Sequence, residues 1–162
     1  MNLAARNPFP KDQDRAQIWE ILVRRDIDAF LAGRWQDTNG DFLAAEFFGI
    51  DAGRVTSPPL WRLRFAHLSD YRDEWLRQAR EFEQVELRGL VKRDFLFSAC
   101  VLRDIDINGA CAMAHKVFDG KAITVSGEPV RLLWQTLYFL KKVRRHWKVR
   151  GFLGYLPNPL QQ

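Results

Sequence analysis

A chain of 162 residues with 47% hydrophobic and 13% aromatic content folds as one domain, large enough to bury roughly two-thirds of its unfolded surface, and this composition excludes intrinsic disorder. Residues 141–150 (KKVRRHWKVR) hold six of the 25 Lys and Arg residues and no acid, leaving 19 basic against 20 acidic residues elsewhere. The net charge of +5 is therefore local, and it reads as a solvated strand and hairpin tip with no nucleic-acid partner.

No apolar run approaches the ~20 residues of a membrane span. The N-terminus lacks the apolar core of a secretory signal. Two cysteines, Cys100 and Cys111, make no disulfide framework. These features predict a cytoplasmic protein with no membrane partner and with both cysteines as small core residues.

Asn7-Pro8-Phe9-Pro10 belongs to an extended arm over residues 1–11, because two prolines fix φ and remove donors. A helix follows, with Asp14 and Gln17 at capping-box spacing. Its broad apolar stripe runs through Ile18, Trp19, Leu22, Val23, Ile27, Phe30 and Leu31, and Gly33 is its left-handed stop. A short amphipathic piece covers Trp35 to Ala45, and Glu46 to Asp51 reads as a short strand. Residues 53–66 form a loop around Ser57-Pro58-Pro59. A further helix starts at Ser69 or Asp70 and carries Tyr71, Trp75, Ala79 and Phe82 on one stripe. Val85, Leu87 and Gly89 alternate as an edge strand does, and Lys92 to Ala99 fits either a helical turn or a strand start.

The last third reads as long antiparallel strands. Asn108-Gly109 between two alternating runs predicts a hairpin whose paired residue numbers sum to about 217. A second pair of strands turns at Arg144-Arg145-His146. The strand over Arg131 to Lys142 puts Leu132, Trp134, Thr136, Tyr138 and Leu140 on one face. Leu133, Gln135, Leu137 and Phe139 lie on the other. Both faces are apolar, so one covers the helices and the other is expected to bury itself against a second copy of the chain. Helices before an antiparallel sheet give an α+β domain, here over residues 12–156, with a tail over 157–162.

The order and lengths of these elements, with the ending Trp134-Gln135-Thr136-Leu137-Tyr138 and His146-Trp147-Lys148-Val149-Arg150-Gly151-Phe152, resemble the nuclear transport factor 2-like superfamily, including its SnoaL-like members. The resemblance covers about residues 12–156. It implies a cone of helices packed in a strongly bent antiparallel sheet around a central pocket, and a homodimer through the outer sheet face. Members include ketosteroid isomerases, dehydratases and polyketide cyclases, so the fold transfers and the chemistry does not. Ketosteroid isomerases use a strand aspartate as base, with a tyrosine and a second acid as oxyanion donors. That set finds no matching positions here.

Several chemistries have no motif to carry them. There is no G-x-G-x-x-G or Walker loop, no C-x-x-C or H-x-x-x-H, and no G-x-S-x-G elbow, so neither a metal nor another cofactor is expected. Proton transfer in a dry pocket remains, needing one tuned acid or base and a donor. His115, mid-strand among apolar neighbours, is the candidate catalytic residue. Strand parity decides whether it faces the pocket. Trp19, His67, Tyr71, Trp75, Trp134 and Tyr138 are candidate ligand-binding residues, the aromatics forming a wall with phenol handles. His67 also suits a helix cap. The leading reading is a pocket for a small apolar ligand. A cofactor-free isomerase, dehydratase or cyclase, and a dimeric interaction module with a filled cavity, stand beside it.

Overall fold

The computed structural model of the chain describes residues 2–160. α1 (Gln13–Trp19) passes through a π-helical turn (Glu20–Arg25) into α2 (Asp26–Ala32). Its first cap is Asp12, whose carboxylate accepts from the Arg15 N–H, two residues before the expected box. Asp14 and Gln17 are used elsewhere. Asp14 Oδ1 accepts from Lys142 Nζ and Trp147 Nε1, and Gln17 Oε1 accepts from the Trp147 backbone N–H. They tie the helix to the sheet, and Gly33 ends it at φ 63 as expected.

Three short 3₁₀ turns lead to β1 (Phe48–Asp51). The loop that follows ends in β2 (Arg62–Phe65), a strand that the sequence hid among prolines. α3 (Leu68–Glu83) begins at His67, whose backbone N–H donates to Asp70 at 3.2 Å. Residues 85–89 make no strand of their own, only a bridge between Leu87 and Thr124, and α4 (Lys92–Ala99) resolves the ambiguity there as helix.

β3 (Cys100–Asn108), β4 (Cys111–Ile123), β5 (Pro129–Val143) and β6 (His146–Leu156) complete one six-stranded sheet ordered β2-β1-β6-β5-β4-β3. β1 runs parallel to β6, and every other pair is antiparallel. The β3–β4 turn sits one residue later than expected, at Gly109-Ala110, because Asn108 pairs with Cys111. Gly109 alone takes a left-handed φ there, at 60°, which suits a turn needing φ > 0 only at its first central residue. Cys111 consequently lies at the hairpin end and is exposed, while Cys100 is buried. The second hairpin turns on Arg144 and Arg145, at φ 50 and 71, a type I′ geometry held by two arginines in place of Asn-Gly.

The helices pack on the concave face of this sheet. Trp19, Phe97, Trp147 and Val149 belong to the larger buried cluster, and Trp35, Trp75, Phe65 and Phe152 to a second one around α3. Close approach has a residue-level cause at Gly120, where a Cβ would lie 2.5 Å from Ala99 Cβ and 3.1 Å from the Phe95 ring. Trp19 is 4% exposed and packs 6.5 Å from Phe97. Trp19→Ala is expected to lower unfolding stability by about 3–5 kcal/mol, the usual cost of deleting a buried large aromatic. A urea midpoint equal to wild type would contradict this packing.

Candidate functional site

Between α2, α3 and the concave sheet lies a cavity of about 370 Å³. Its walls are mainly apolar. Ile27 and Phe30 come from α2, Trp75 and Phe82 from α3, and Leu132 and Trp134 from β5. Strand parity explains the sheet side. Leu132, Trp134, Thr136 and Tyr138 alternate inward on β5, and Phe118, the partner of Trp134 on β4, faces the same space. The rings of Phe118 and Trp134 stack at 4.4 Å. Glu81 is the one exposed residue of the lining and marks the mouth.

The inner end is polar. Asp26, Tyr71 and Tyr138 line both the cavity and a smaller void behind it. Asp26 Oδ1 accepts from Trp75 Nε1 at 3.2 Å, and Oδ2 accepts from Lys116 Nζ at 3.1 Å. Lys116 is 1% exposed, and its ammonium also donates to the Leu22 carbonyl and lies 4.9 Å over the Phe118 ring. That carbonyl belongs to the π-helical turn, where the usual i→i−4 ladder is broken: the Asp26 N–H bonds Val23 in place of Leu22. Burial alone would lower the lysine pKa, but the facing Asp26 carboxylate outweighs it and the balance is upward. Burial pushes the phenols of Tyr71 and Tyr138 well above the usual tyrosine value. Charge repulsion adds to this, led by Tyr138 in the case of Tyr71 and by Asp26 in the case of Tyr138. Both are therefore neutral donors at any physiological pH.

Of the residues expected to form a site, Tyr71, Trp75, Trp134 and Tyr138 come together in this cavity. Three do not. His115 has the opposite parity to Lys116 and points from the convex face, where its Nε2 lies 2.6 Å from Gln135 Oε1, so it cannot serve as acid or base in the cavity. Trp19 is buried core beneath Arg24, whose guanidinium sits 5.0 Å over its ring. His67 is exposed and caps α3.

The sequence reading missed Asp26 and Lys116. Lys116 carried a usable signal, since it shares a strand face with Ala112 and Ala114, both buried. Asp26 carried less, because the π turn adds to the winding that sets which helix face it occupies. Among the described residues, no group of three or more His, Cys, Asp or Glu side chains could hold a metal ion, and no helix is long and apolar enough to cross a membrane.

A second charge cluster supports α3. Glu74 accepts from Arg77 at 2.6 Å and Gln78 at 3.0 Å, with Arg64 at 3.3 Å, and Arg77 foremost draws its carboxyl down to about 2. A carboxyl whose pKa is lowered on folding stabilises fully above its unfolded value near 4.5, and that contribution disappears as pH falls toward about 2. Glu74→Gln is expected to flatten the pH dependence of the urea midpoint between these values, and an unchanged profile would refute it. Lys116→Met leaves Asp26, whose side chain is 28% exposed at the cavity, without its ammonium and is expected to cost about 1–3 kcal/mol, whereas Lys116→Met with Asp26→Leu recovers most of the loss. Equal urea midpoints for the single and double variants would show that the pair is not coupled.

No protein-family model matches the sequence, and no curated protein matches it. Solved structures do. Aln2 from a Streptomyces species superposes with TM-score 0.60 at 8% identity, over 93% of this chain and 95% of that one. A ketosteroid isomerase-like protein from Erwinia carotovora gives 0.52 at 14% identity, over 88% and 95%. A nuclear transport factor 2-like protein of unknown function from Methylobacillus flagellatus gives 0.50 at 20% identity, over 87% and 90%. At these identities what is shared is architecture: this chain has the nuclear transport factor 2-like fold.

Proposed function

We propose that the protein binds a small, largely apolar molecule that presents a hydrogen-bonding oxygen to Asp26, Tyr71 and Tyr138. The observation that carries this reading is their convergence at the closed end of an otherwise apolar cavity. A ligand oxygen there meets two neutral phenol donors and one carboxylate acceptor, while its hydrocarbon body lies against Phe30, Trp75 and Trp134. With 2-naphthol as probe, calorimetry is expected to show binding that Tyr138→Phe weakens by about two- to tenfold, the worth of one net hydrogen bond. Equal affinity for wild type and Tyr138→Phe would refute this placement of the oxygen.

A second reading, a cofactor-free enzyme of the isomerase, dehydratase or cyclase kind, is favoured by the Asp26 carboxylate standing beside two donors. In that reading Asp26 removes a proton from carbon next to a carbonyl, and the phenols donate to the oxygen as negative charge grows on it. Lys116 and Trp75 hold the carboxylate in place. The likeness to a ketosteroid isomerase-like structure is consistent with this chemistry. Solvent-deuterium exchange into 2-tetralone, followed by proton NMR, is expected for wild type and absent for Asp26→Asn. No exchange above the buffer rate in wild type would leave binding alone.

The convex face supports a homodimer. Two cross-strand rows run over it, Leu63–Ile50–Leu153–Leu137–His115 and Phe48–Gly151–Phe139–Met113. Leu63 and Met113 remain 62% and 41% exposed, and continuity of the rows across five strands suits a second copy of the same face. Light scattering is expected to give twice the 19.0 kDa of one chain, falling to one chain mass for Phe139→Glu. A wild-type monomer at micromolar concentration would exclude this dimer.

A further inference from the structure

β6 breaks its own alternation at the cavity. Phe152 and Gly154 line the cavity, and Leu153 between them packs into the convex cluster with Ala52. A regular strand would send Tyr155 to the convex side. Instead Tyr155 lines the cavity, and the next residue, Leu156, returns to the convex cluster. The cause is one inserted residue. Gln135 pairs with Leu156 and Leu137 with Leu153, so β6 takes three steps where β5 takes two. Tyr155 absorbs the insertion at φ 56, a conformation that an aromatic residue rarely adopts.

The bulge brings the Tyr155 side chain into the cavity lining, where its bond to α3 makes a bar of Tyr155 and Gln78. The Tyr155 ring lies 6.3 Å from the Trp134 ring, and its hydroxyl accepts from Gln78 Nε2 at 2.9 Å. The same Gln78 amide donates to Glu74 Oε1 at 3.0 Å, so α3 holds the far end of the bar. Gln78 stands one helical turn inside Glu81, the exposed lining residue. Along α3 this contact lies between Glu81 at the mouth and Tyr71 at the inner end. Strain kept at a functional cavity is a reason to look for a role there.

We propose that the Tyr155–Gln78 bar is the specificity-determining element of the cavity, setting the girth of the molecules that reach Asp26, Tyr71 and Tyr138. The inference rests on the ligand-binding reading above. It assigns Tyr155 no part in chemistry. Narrow, flat molecules slip past the ring, whereas broader ones require the Gln78 bond to open and the ring to swing.

Stopped-flow fluorescence with two uncharged probes, N-phenyl-1-naphthylamine and the broader Nile red, tests this. Wild type is expected to take up the smaller probe faster. Tyr155→Phe and Gln78→Ala each remove the bond and are expected to speed Nile red uptake by about three- to tenfold, the worth of one net hydrogen bond. Tyr155→Gly also removes the ring and is expected to erase most of the discrimination between the probes, and glycine adopts φ 56 freely, so the bulge itself is kept. Should Tyr155→Gly fail to fold, Gln78→Ala carries the test, because it acts from α3 and leaves the bulge intact. Uptake of both probes at wild-type rates in Gln78→Ala and Tyr155→Phe overturns the bar and leaves the ligand-binding reading standing. Failure of wild type and of every variant to bind either probe overturns that reading and the inference together.

Discussion

Placing an ammonium group in a protein interior costs several kcal/mol unless its charge and its protons are met, and Lys116 is met on each side. Asp26 supplies the charge, the Leu22 carbonyl takes a further proton, and the rings of Phe118 and Tyr138 cover the remainder. The partners come from two layers of the fold, one helix and the sheet. The carbonyl is presented by the π-helical turn, the carboxylate by the first residue of α2, and the lysine by the middle of β4. Moving the helix along the sheet would strand a buried charge, so this pair fixes how α2 lies across the concave face. It also fixes where a carboxylate reaches the cavity.

The cavity exists because the sheet bends more sharply than the helices can follow. In the long strands, register shifts fall between Leu102 and Asp104, between Gln135 and Leu137, and between Phe139 and Leu140, and a further one falls in β1 between Gly49 and Ile50. Such insertions bend a strand and increase its twist. Close backbone approach does the rest at Gly151, where a Cβ would meet the Phe48 carbonyl oxygen at 2.6 Å. Helices laid into this curve pack through Trp19 and Phe97 in one cluster, with Trp147 and Val149 of β6, and through Trp75 in the other, with Phe152 of β6. The space left between is the cavity, roofed by α3.

What the sequence disclosed followed from periodicity, and what it concealed followed from departures from periodicity. The α+β class, the Gly33 stop, the two hairpins and the inward row Leu132, Trp134, Thr136 and Tyr138 all depend on regular 3.6- or 2-residue repeats. The errors share one physical origin. A hairpin turn at Gly109-Ala110, one residue later than Asn108-Gly109, changes every pairing along β3 and β4. The π turn hides which face Asp26 occupies. The inserted residue in β6 brings Tyr155 inward against its parity. Local composition does not mark these insertions, because each is stabilised by tertiary partners far away in the chain. His115 and Lys116 illustrate the sensitivity: they are adjacent, both titratable, and only the sheet's parity decides which one serves the interior.

The polar end of the cavity has a built-in asymmetry that bears on its chemistry. Two neutral phenols, pushed further above the usual tyrosine value by burial, stand as donors, while Asp26 is already engaged by an ammonium on one oxygen and an indole N–H on the other. A carboxylate so occupied has fewer lone pairs free for a ligand, but those that remain are fixed in direction by residues that do not move with the ligand. That is the condition under which hydrogen bonds in a water-poor site act strongly on a bound molecule, because little reorganisation accompanies binding or reaction. The same arrangement disfavours ligand anions, since a negative group brought to this end would face Asp26 while Lys116 is spent on it. In the binding reading proposed above, neutral molecules bearing a carbonyl or hydroxyl suit it best, and the apolar walls leading there suit the same class.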